Sequence, residues 1–419
     1  MMHSAVTRRS PGPILAAGLA LAALVVGLAC SSPTDSGGNG GPPPPPPEDT
    51  TPVYYSPDQF VMGADLSYVN QVLDHGGVYR DSGTAKDPYA IFRDRGANMA
   101  RLRLWHDPEW VRTQVYDDPS APLYSGLDDV AEAAAAARAR GLEVMVDFHY
   151  SDTWADPGHQ VPPAAWQDIT ELATLEDSVY QYTRSVLEHL DGLGVLPGMV
   201  QIGNETNCGM LSTGADPGFP ELDVCQAGQW QAQGAVINAA IQAVRDVEPT
   251  VRVALHIAQP ENVGWWISNI TGDGGVTDFD VIGFSYYTQW SSESLASISD
   301  RVNAWRLAFR KDVMVMEAAY PWTTGNADGY GNILGPDALV GGFPASPEGQ
   351  RAFMTRLVEE VVDGGGSGVF YWEPAWISSG LRTLWGTGSA WDNATLFDFD
   401  GDAHEGFGFF THPYIGLAD

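Results

Sequence analysis

The sequence predicts an α/β protein whose fold class is a (β/α)8 TIM barrel. The 419-residue chain has room for one large domain of barrel size. It contains eight short apolar segments, several nearly continuous in Val, Ile, Met and Leu, which are typical of strands buried on both faces of a parallel sheet. Longer segments with helical spacing separate several of these strands, and eight such units fit a closed barrel with extra length in its loops.

The predicted strands and helices alternate along the chain. The strands are Val61–Asp65, Met99–Leu104, Glu143–His149, Met199–Asn204, Val251–His256, Val281–Ser285, Val313–Glu317 and Gly368–Trp372. The helices are Leu127–Arg140, Leu175–Leu193, Trp230–Val247 and Glu348–Val362. An open doubly wound sheet is the alternative, but the sequence contains neither a Gly-rich dinucleotide turn after the first strand nor a P-loop.

Residues 1–30 predict an export signal of the lipoprotein type. Arg8 and Arg9 precede an apolar run over residues 14–29, which at 16 residues is shorter than the roughly 20 that span a membrane. The run ends at Cys30, and the small residues around it resemble a bacterial lipoprotein cleavage site. We therefore expect lipidation of Cys30 and a cell-surface or periplasmic location, with a plain secretory signal as the alternative.

Residues 31–55 predict a disordered linker and residues 56–419 a single catalytic domain. The linker consists mainly of Ser, Gly, Asp and Pro, with six consecutive prolines at 42–47. Such a composition cannot bury enough apolar surface to fold. No second linker and no sequence repeat follows it.

The charge of the chain limits its partners. The net charge is -32, from 21 basic and 53 acidic side chains. Nucleic acids and anionic membrane surfaces are therefore disfavoured, because binding to them rests on Lys and Arg. A neutral molecule or an uncharged polymer remains open. We expect a monomer that contacts a membrane only through its lipid anchor.

The other two cysteines, Cys208 and Cys225, are candidates for a disulfide. An exported protein folds in an oxidising compartment, where such a pair is expected to bond. Two free thiols are the alternative. A metal site is disfavoured because no histidines cluster beside them.

Two glutamates follow predicted strands at the positions where barrels carry their active sites. Glu205 and Glu317 end strands that are too apolar to need a charge, and neither has a basic neighbour in sequence. An unpaired buried carboxylate is costly or becomes protonated. Two carboxyls in one cleft, together with 14 tryptophans that suit the faces of sugar rings, indicate glycoside hydrolysis. A catalytic zinc is disfavoured, because the nine histidines are scattered and no HExxH sequence occurs.

Other polar residues at strand ends have two interpretations. Arg101 and Arg103 are each either a site residue or a structural partner of Asp65 or Asp147. His149 either transfers a proton or orients a neighbour. Aromatic residues at strand ends either pack in the core or contact a ligand.

Several motifs resemble one family over residues 60–401. They are GADLSYV at 63–69, RLRLWHDP at 101–108, VDFHYSDTWADPGHQ at 146–160, QIGNETNCGML at 201–211, FSYYTQW at 284–290, MEAAYPWT at 316–323, YWEPAW at 371–376 and WDNATLFDFDG at 391–401. In this order they resemble the arabinogalactan endo-β-1,4-galactanases of glycoside hydrolase family 53, which belong to a clan of retaining (β/α)8 hydrolases. The string at 146–160 is the most specific of them.

The resemblance implies roles for individual residues. Glu205 would be the general acid/base after strand four, and Glu317 the nucleophile at the end of strand seven. Asn204 would bind the sugar 2-hydroxyl, Tyr286 would hold the nucleophile, and Trp372 would form the floor of the same subsite. The remaining residues expected to bind or support the substrate are Asp65, Arg101, His149 and Asp156.

The resemblance also suggests a structural calcium ion in the loop after strand seven. The sequence NADGYGN at 326–332 offers side-chain oxygens of Asn326, Asp328 and Asn332 and the carbonyl of Tyr330. Asn replaces an expected Asp, and Tyr an expected His. The alternative is a Gly-rich turn whose Asn and Asp side chains cap backbone groups. No cofactor is expected to be required for catalysis.

These observations imply a retaining endo-β-1,4-galactanase that hydrolyses the β-1,4-galactan of pectin. A related barrel glycosidase acting on a β-1,4-mannan or glucan is one alternative. A surface lipoprotein that binds glycan without cleaving it is another, although it would be expected to lack one of the two carboxyls.

Overall fold

A computed structural model describes residues 51–417. The predicted export signal, the lipidation site Cys30 and linker residues 31–50 lie outside this range. The last residues of the predicted linker belong to the folded domain instead. The Val53 amide donates to the Thr411 carbonyl at 2.9 Å, and the hydroxyl of buried Tyr55 donates to the His412 carbonyl at 2.7 Å.

Eight parallel strands form a closed barrel, which confirms the predicted fold class. They are β1 (Val61–Asp65), β2 (Met99–Leu104), β3 (Glu143–Phe148), β4 (Met199–Ile202), β5 (Arg252–Ile257), β6 (Val281–Ser285), β7 (Asp312–Ala318) and β8 (Gly368–Tyr371). Each strand pairs with the next along the chain, and β8 pairs with β1. A short antiparallel hairpin joins residues 80–81 to 84–85.

Apolar side chains fill the interior of the barrel. This cluster consists of Val61, Met99, Met145, Met199, Ala254, Val281, Met314, Met316 and Phe370. Its five methionines, from β2, β3, β4 and β7, suit an irregular space, because Met is unbranched and adaptable. Gly63 has no side chain for a steric reason: a Cβ there would lie 2.1 Å from the Phe370 ring.

Helices surround the barrel. They are α1 (Val69–Asp74), α2 (Pro88–Asp94), α3 (Leu127–Ala139), α4 (Leu172–Gly192), α5 (Trp230–Val247), α6 (Pro260–Gly272), α7 (Ile298–Phe309) and α8 (Pro347–Asp363). The sequence predicted α3, α4, α5 and α8 to within a few residues and missed the other four, which have 6 to 13 residues. Ser346 begins α8 by accepting a hydrogen bond from the Gly349 amide at 3.1 Å.

The structure places a disulfide between Cys208 and Cys225, whose Cα atoms are 5.0 Å apart. The bond closes the loop between β4 and α5. In residues 51–417, no helix has both the length and the apolar character needed to cross a membrane.

Candidate active site

Glu205 and Glu317 line one cleft at the C-terminal ends of the strands, as predicted. The cleft has a volume of about 770 Å³, and Asn204, Asp156 and Trp372 also line it. Glu317 is 4% exposed, whereas Glu205 is only partly buried. The structure therefore brings five of the nine predicted catalytic and substrate-binding residues to one surface.

The backbone after β4 turns sharply to place Glu205. Gly203 has φ 75° and Glu205 has φ 47°, so both lie in the left-handed region. That conformation is unfavourable for a non-glycine residue and is found where surrounding contacts hold it. Here the Thr206 amide donates to the His256 carbonyl at 3.0 Å, and Gln160 Nε2 donates to the Asn204 carbonyl at 2.8 Å. This turn also explains why β4 ends at Ile202 rather than at Asn204 as predicted.

Glu317 lies within β7 and is held at both carboxyl oxygens. Its Oε1 accepts from Arg101 Nη1 at 2.9 Å, and its Oε2 accepts from the Tyr287 hydroxyl at 3.1 Å. The register between β6 and β7 shifts after Phe284, so that Ser285 pairs with Glu317. These contacts orient the carboxylate towards the cleft.

The fully buried Arg101 connects the residues beneath the cleft. Its guanidinium donates to Asp65 at 3.1 Å, Glu317 at 2.9 Å, Asp147 at 2.8 Å, Gln201 at 3.2 Å and Asn204 at 2.8 Å. Arg101 thus serves as both a site residue and a structural partner of Asp65, and the two interpretations of the sequence are not exclusive. Neither residue lines the cleft directly.

The two glutamates have different electrostatic surroundings. Burial raises the pKa of Glu205 to about 7, and the charge of Asp156 adds to the effect. Burial also raises the pKa of Glu317, but the Arg101 guanidinium in direct contact stabilises its charged form. In the described part of the chain no cation contacts Glu205. Burial thus raises the pKa of Glu317 well above its ordinary value, but Glu317 is the carboxyl whose charged form a guanidinium contacts, whereas Glu205 has a pKa near neutral pH.

His149 orients its neighbours and does not line the cleft. Its Nδ1 accepts from the Ala155 amide at 3.1 Å, so its Nε2 carries the proton and donates to Asp147 at 3.1 Å. Burial lowers the pKa of the imidazole, which keeps it neutral. The structure thus favours the second of the two interpretations of this residue.

Tyr286 does not hold the nucleophile, contrary to the prediction. Its hydroxyl donates to the Glu293 carbonyl at 3.2 Å, whereas the hydroxyl that reaches Glu317 belongs to Tyr287. Side chains alternate in direction along an extended backbone, so Tyr287 points to the same side as Ser285, which faces Glu205. That alternation was the signal in the sequence that could have selected Tyr287.

Aromatic side chains form the walls of the cleft. They are Tyr68, Trp154, Tyr287, Trp290, Tyr330, Trp372, Trp376, Trp385 and Trp391. Trp372 lies over the Arg101 guanidinium, 5.3 Å from ring centroid to Cζ. Such broad apolar faces can stack on sugar rings. Of these aromatic residues, only Trp372 was assigned to a sugar subsite from the sequence.

A second buried ion pair, between Arg103 and Glu373, packs against two aromatic side chains of the cleft wall. Arg103 Nη1 contacts Glu373 Oε1 at 3.1 Å, and its guanidinium lies 4.0 Å from the Trp154 ring and 4.7 Å from the Tyr68 ring. Burial raises the pKa of Glu373 to about 8, with the charge of Asp65 adding to the effect. The sequence did not assign a role to this pair.

Asp156 lies at the rim of the cleft beside His159, whose Nδ1 is 2.9 Å from both carboxylate oxygens. The Asp156 carboxylate also accepts from the Gly158 amide at 2.7 Å. It is about half exposed, 43% by side-chain area. Its position allows contact with a ligand and a through-space effect on Glu205.

The residues predicted to bind calcium do not fit that ion as they are arranged. The Asn326 amide donates to the Tyr330 carbonyl at 2.6 Å, and Asp328 accepts from the amides of Tyr330 at 2.7 Å and Ser389 at 2.8 Å. Asn332 donates its amide to Asp392 at 2.7 Å, which leaves its Oδ1 as a single unpartnered oxygen. Calcium needs six to eight oxygen ligands. The arrangement favours the alternative, a turn closed by its own side chains.

Residues 51–417 contain no group of three or more His, Cys, Asp or Glu side chains that could hold a metal ion. The cleft combines two carboxyl groups with aromatic rings at the C-terminal end of a parallel barrel. These features define a (β/α)8 glycoside hydrolase.

Comparison with known proteins gives the family. A family model described as glycosyl hydrolase family 53 matches residues 61–410. The chain therefore belongs to glycosyl hydrolase family 53, which confirms the resemblance found in its motifs.

Characterised relatives match most of the chain. It is 42% identical to the arabinogalactan endo-β-1,4-galactanase of Cellvibrio japonicus, over 86% of this chain and 92% of that protein. It is 34% identical to the endo-β-1,4-galactanase of Bacillus subtilis, over 82% of this chain and 83% of that protein. The solved family 53 catalytic domain from Ignisphaera aggregans superposes with a TM-score of 0.77 at 34% identity, covering 88% of this chain and 100% of that domain.

Proposed function

We propose that this protein is a retaining endo-β-1,4-galactanase that hydrolyses β-1,4-galactan by double displacement. The observation that carries the proposal is the unequal environment of two carboxyls in one cleft. Glu317 is oriented by the Arg101 guanidinium, which stabilises its charged form, and burial raises the pKa of Glu205 to about 7. The names of the Cellvibrio japonicus and Bacillus subtilis relatives support galactan as the polymer.

In the first displacement, a Glu317 carboxylate oxygen attacks the anomeric carbon of the sugar. The bond from that carbon to the glycosidic oxygen breaks, and the Glu205 proton passes to the leaving oxygen. The products are a glycosyl ester on Glu317, a shortened chain with a free hydroxyl, and an ionised Glu205.

In the second displacement, Glu205 acts as the base. It takes a proton from a water molecule whose oxygen attacks the same carbon, and the bond to Glu317 breaks. Two inversions give net retention and restore both carboxyls to their starting states. A pKa of about 7 for Glu205 suits both roles near neutral pH.

Asn204 is proposed to bind the 2-hydroxyl of the sugar being cleaved. Its Nδ2 donates one hydrogen to the Ala155 carbonyl at 2.8 Å. The amide has a second hydrogen, and the side chain borders the cleft. Trp372 is proposed to form the apolar floor of this subsite, and Asp156 is proposed to contact the polymer at the rim.

Digestion of linear β-1,4-galactan by wild type, Glu205→Ala and Glu317→Ala tests the mechanism. Both variants should lose at least about 10³-fold in kcat. Azide should rescue each on an activated aryl glycoside, giving the β-glycosyl azide with Glu205→Ala and the α-glycosyl azide with Glu317→Ala. Undiminished galactan cleavage by both variants would sink the proposal. Parallel digests of β-1,4-mannan and cellulose separate galactan from the alternative polymers.

The location of the protein is also a proposal. We expect export and lipidation at Cys30, and the disulfide between Cys208 and Cys225 fits an oxidising compartment. Radiolabelled palmitate should enter wild type and not Cys30→Ala expressed in a bacterium that processes lipoproteins. A soluble wild-type protein without label would favour a plain secretory signal. Size-exclusion chromatography with light scattering checks the expected monomer.

A further inference from the structure

We infer that His256 and Ser285 form a hydrogen-bond relay that keeps the proton on Glu205. In this arrangement His256 turns the Ser285 hydroxyl away from Glu205, so that Ser285 accepts from the acid instead of donating to it. Both are positioning residues, and neither takes part in bond cleavage. The inference rests on the proposed role of Glu205 as acid/base.

The relay is a continuous chain of short contacts. Glu205 Oε1 lies 2.6 Å from Ser285 Oγ, and Ser285 Oγ lies 2.9 Å from His256 Nε2. On the other side of the ring, His256 Nδ1 lies 2.9 Å from Asn204 Oδ1. His256 is fully buried and Ser285 is 2% exposed, so water does not compete for the contact between these two residues.

The proton on His256 can be placed from its partners. Asn204 Nδ2 donates to the Ala155 carbonyl, and Asn204 Oδ1 accepts from Arg101 at 2.8 Å and Gln201 at 3.0 Å. The atom facing His256 is therefore the amide oxygen, which has no proton to give. His256 Nδ1 must carry the hydrogen of that contact.

A neutral His256 with a protonated Nδ1 has a bare Nε2. Burial and the nearby Arg101 charge lower the pKa of His256 well below its ordinary value, which keeps the ring neutral. The hydrogen available to Nε2 is the single hydroxyl proton of Ser285. When Ser285 donates it to His256, only its lone pairs face Glu205.

Two states of Glu205 then differ in how well the relay is satisfied. A protonated Glu205 donates to Ser285, Ser285 donates to His256, and every member has its partner. An ionised Glu205 competes with Nε2 for the one Ser285 proton, and when Glu205 takes that proton the fully buried Nε2 is left as an acceptor without a donor. A buried unsatisfied acceptor is unfavourable, so the relay favours the acid form.

Other charged and titratable groups also act on Glu205. They are Arg101 and Asp147 beneath it, Asp156 at the rim, and Glu317 and Tyr287 across the cleft. Arg101 and His149 are the charged or titratable groups acting on His256. None of them supplies a proton to Ser285, so their effects persist when the relay is removed.

The alkaline limb of the pH profile of kcat/KM tests the relay, because this limb follows the ionisation of the acid. In His256→Phe, Ser285 is free to donate to the Glu205 carboxylate. The limb should move to lower pH by about one unit, which corresponds to one hydrogen bond transferred to the charged form. The matched controls are Ser285→Ala and the double variant, whose limbs should coincide because His256 acts only through Ser285.

An equal shift of the alkaline limb when His256→Phe is added to wild type and to Ser285→Ala would overturn the relay, since His256 would then act without Ser285. So would an unmoved limb in His256→Phe. The wild-type protein labelled with 15N-histidine gives a second measurement that needs no folded variant. Imidazole nitrogen shifts at pH 6 should give His256 a protonated Nδ1 and a bare Nε2, and a protonated Nε2 contradicts the inference.

The failure of the relay and the failure of the proposed function are distinguishable. If Glu205→Ala keeps full activity on galactan, the catalytic assignment is wrong. If that variant is inactive while the limbs of the relay variants behave independently of Ser285, the catalytic assignment stands and the relay alone is wrong.

Discussion

At the residue scale, the site depends on small differences between chemically similar groups. Glu205 and Glu317 are the same side chain at the ends of two strands, yet one faces a serine hydroxyl and the other an arginine and a tyrosine. Hydrogen bonds to the charged form favour ionisation, and burial without them favours the proton. The contacts of each carboxyl therefore decide which role it can take.

Tyr287 and Tyr286 provide a matched pair of variants at this scale. We expect Tyr287→Phe to lower kcat by about 10- to 100-fold, because Glu317 loses the hydroxyl donor that orients its Oε2. Tyr286→Phe should stay within about twofold of wild type, since its hydroxyl bonds the Glu293 carbonyl. Steady-state kinetics on linear galactan measures both. Equal losses in the two variants would contradict the assignment.

At the element scale, the strands end where the chain turns out of the barrel, and the loops that follow carry the cleft. The loop after β4 is tied by the Cys208–Cys225 disulfide, and the loop after β7 is tied by its own Asn and Asp side chains. These two devices hold two separate loops at the C-terminal end of the barrel. Each can be tested separately from the catalytic residues.

The disulfide is expected to stabilise the fold. The two cysteines are separated by 17 residues, and closing a loop of that size contributes about 3 kcal/mol in the chain-entropy model. The Cys208→Ser/Cys225→Ser double variant should lower the free energy of unfolding by up to this amount in urea titrations. Wild type treated with a thiol reductant should match it, and equal stability with and without reductant would show that the bond contributes little.

Metal removal is expected to have no effect on the loop after β7. The Tyr330 carbonyl and the Asp328 carboxylate already have hydrogen-bond partners from the chain itself. Treatment with EDTA, followed by millimolar calcium, should leave the melting temperature within about 1 °C and the rate on galactan unchanged. A rise of several degrees on adding calcium would restore the calcium prediction.

At the scale of the whole molecule, buried carboxyls outnumber their cations. Arg101 and Arg103 lie among five carboxyl groups, those of Asp65, Asp147, Glu205, Glu317 and Glu373. A buried group without a partner charge keeps its proton. Burial raises the pKa of Glu205, which no cation among residues 51–417 contacts, from 4.5 to about 7, and it raises that of Glu373 from 4.5 to about 8 although Arg103 contacts this carboxyl. This imbalance links the stability of the fold to pH.

The stability that Glu205 and Glu373 contribute should fall as the pH rises from about 4.5 to about 8, whereas His149, His256 and His404, whose pKa values are lowered by burial, act in the opposite sense below about pH 6.5. Over this window the folded state keeps protons on Glu205 and Glu373 that the unfolded state releases, so rising pH favours unfolding. Partial solvent contact at Glu205 reduces the effect, and we expect a loss on the order of 3 kcal/mol. Urea titrations at pH 5 and pH 8.5 measure it. Glu373→Gln, which imitates the protonated form, should lose less, and a flat wild-type profile would contradict this account.

The sequence by itself determined the barrel. Continuous apolar runs are required of strands buried on both faces, and this requirement is local, so all eight strands were found within about two residues. Glu205 and Glu317 were found for the same reason, because a carboxyl at the end of such a run has no structural purpose visible in its neighbours. The helices α1 and α2 were missed because, with 6 and 7 residues, they have few turns in which to display a period. The helices α6 and α7 were missed although α6, with 13 residues, is as long as the predicted α3.

Only the tertiary structure decided which hydroxyl meets Glu317, which atom of Asn204 faces His256, and where Arg103 supports the aromatic wall. Each contact joins residues from different strands: Tyr287 follows β6 and meets Glu317 on β7, and His256 on β5 meets Asn204 after β4. Such pairings depend on the register between strands and on side-chain direction after a turn. These quantities arise from the closure of the barrel, whereas the local pattern of the chain records only that each strand is buried.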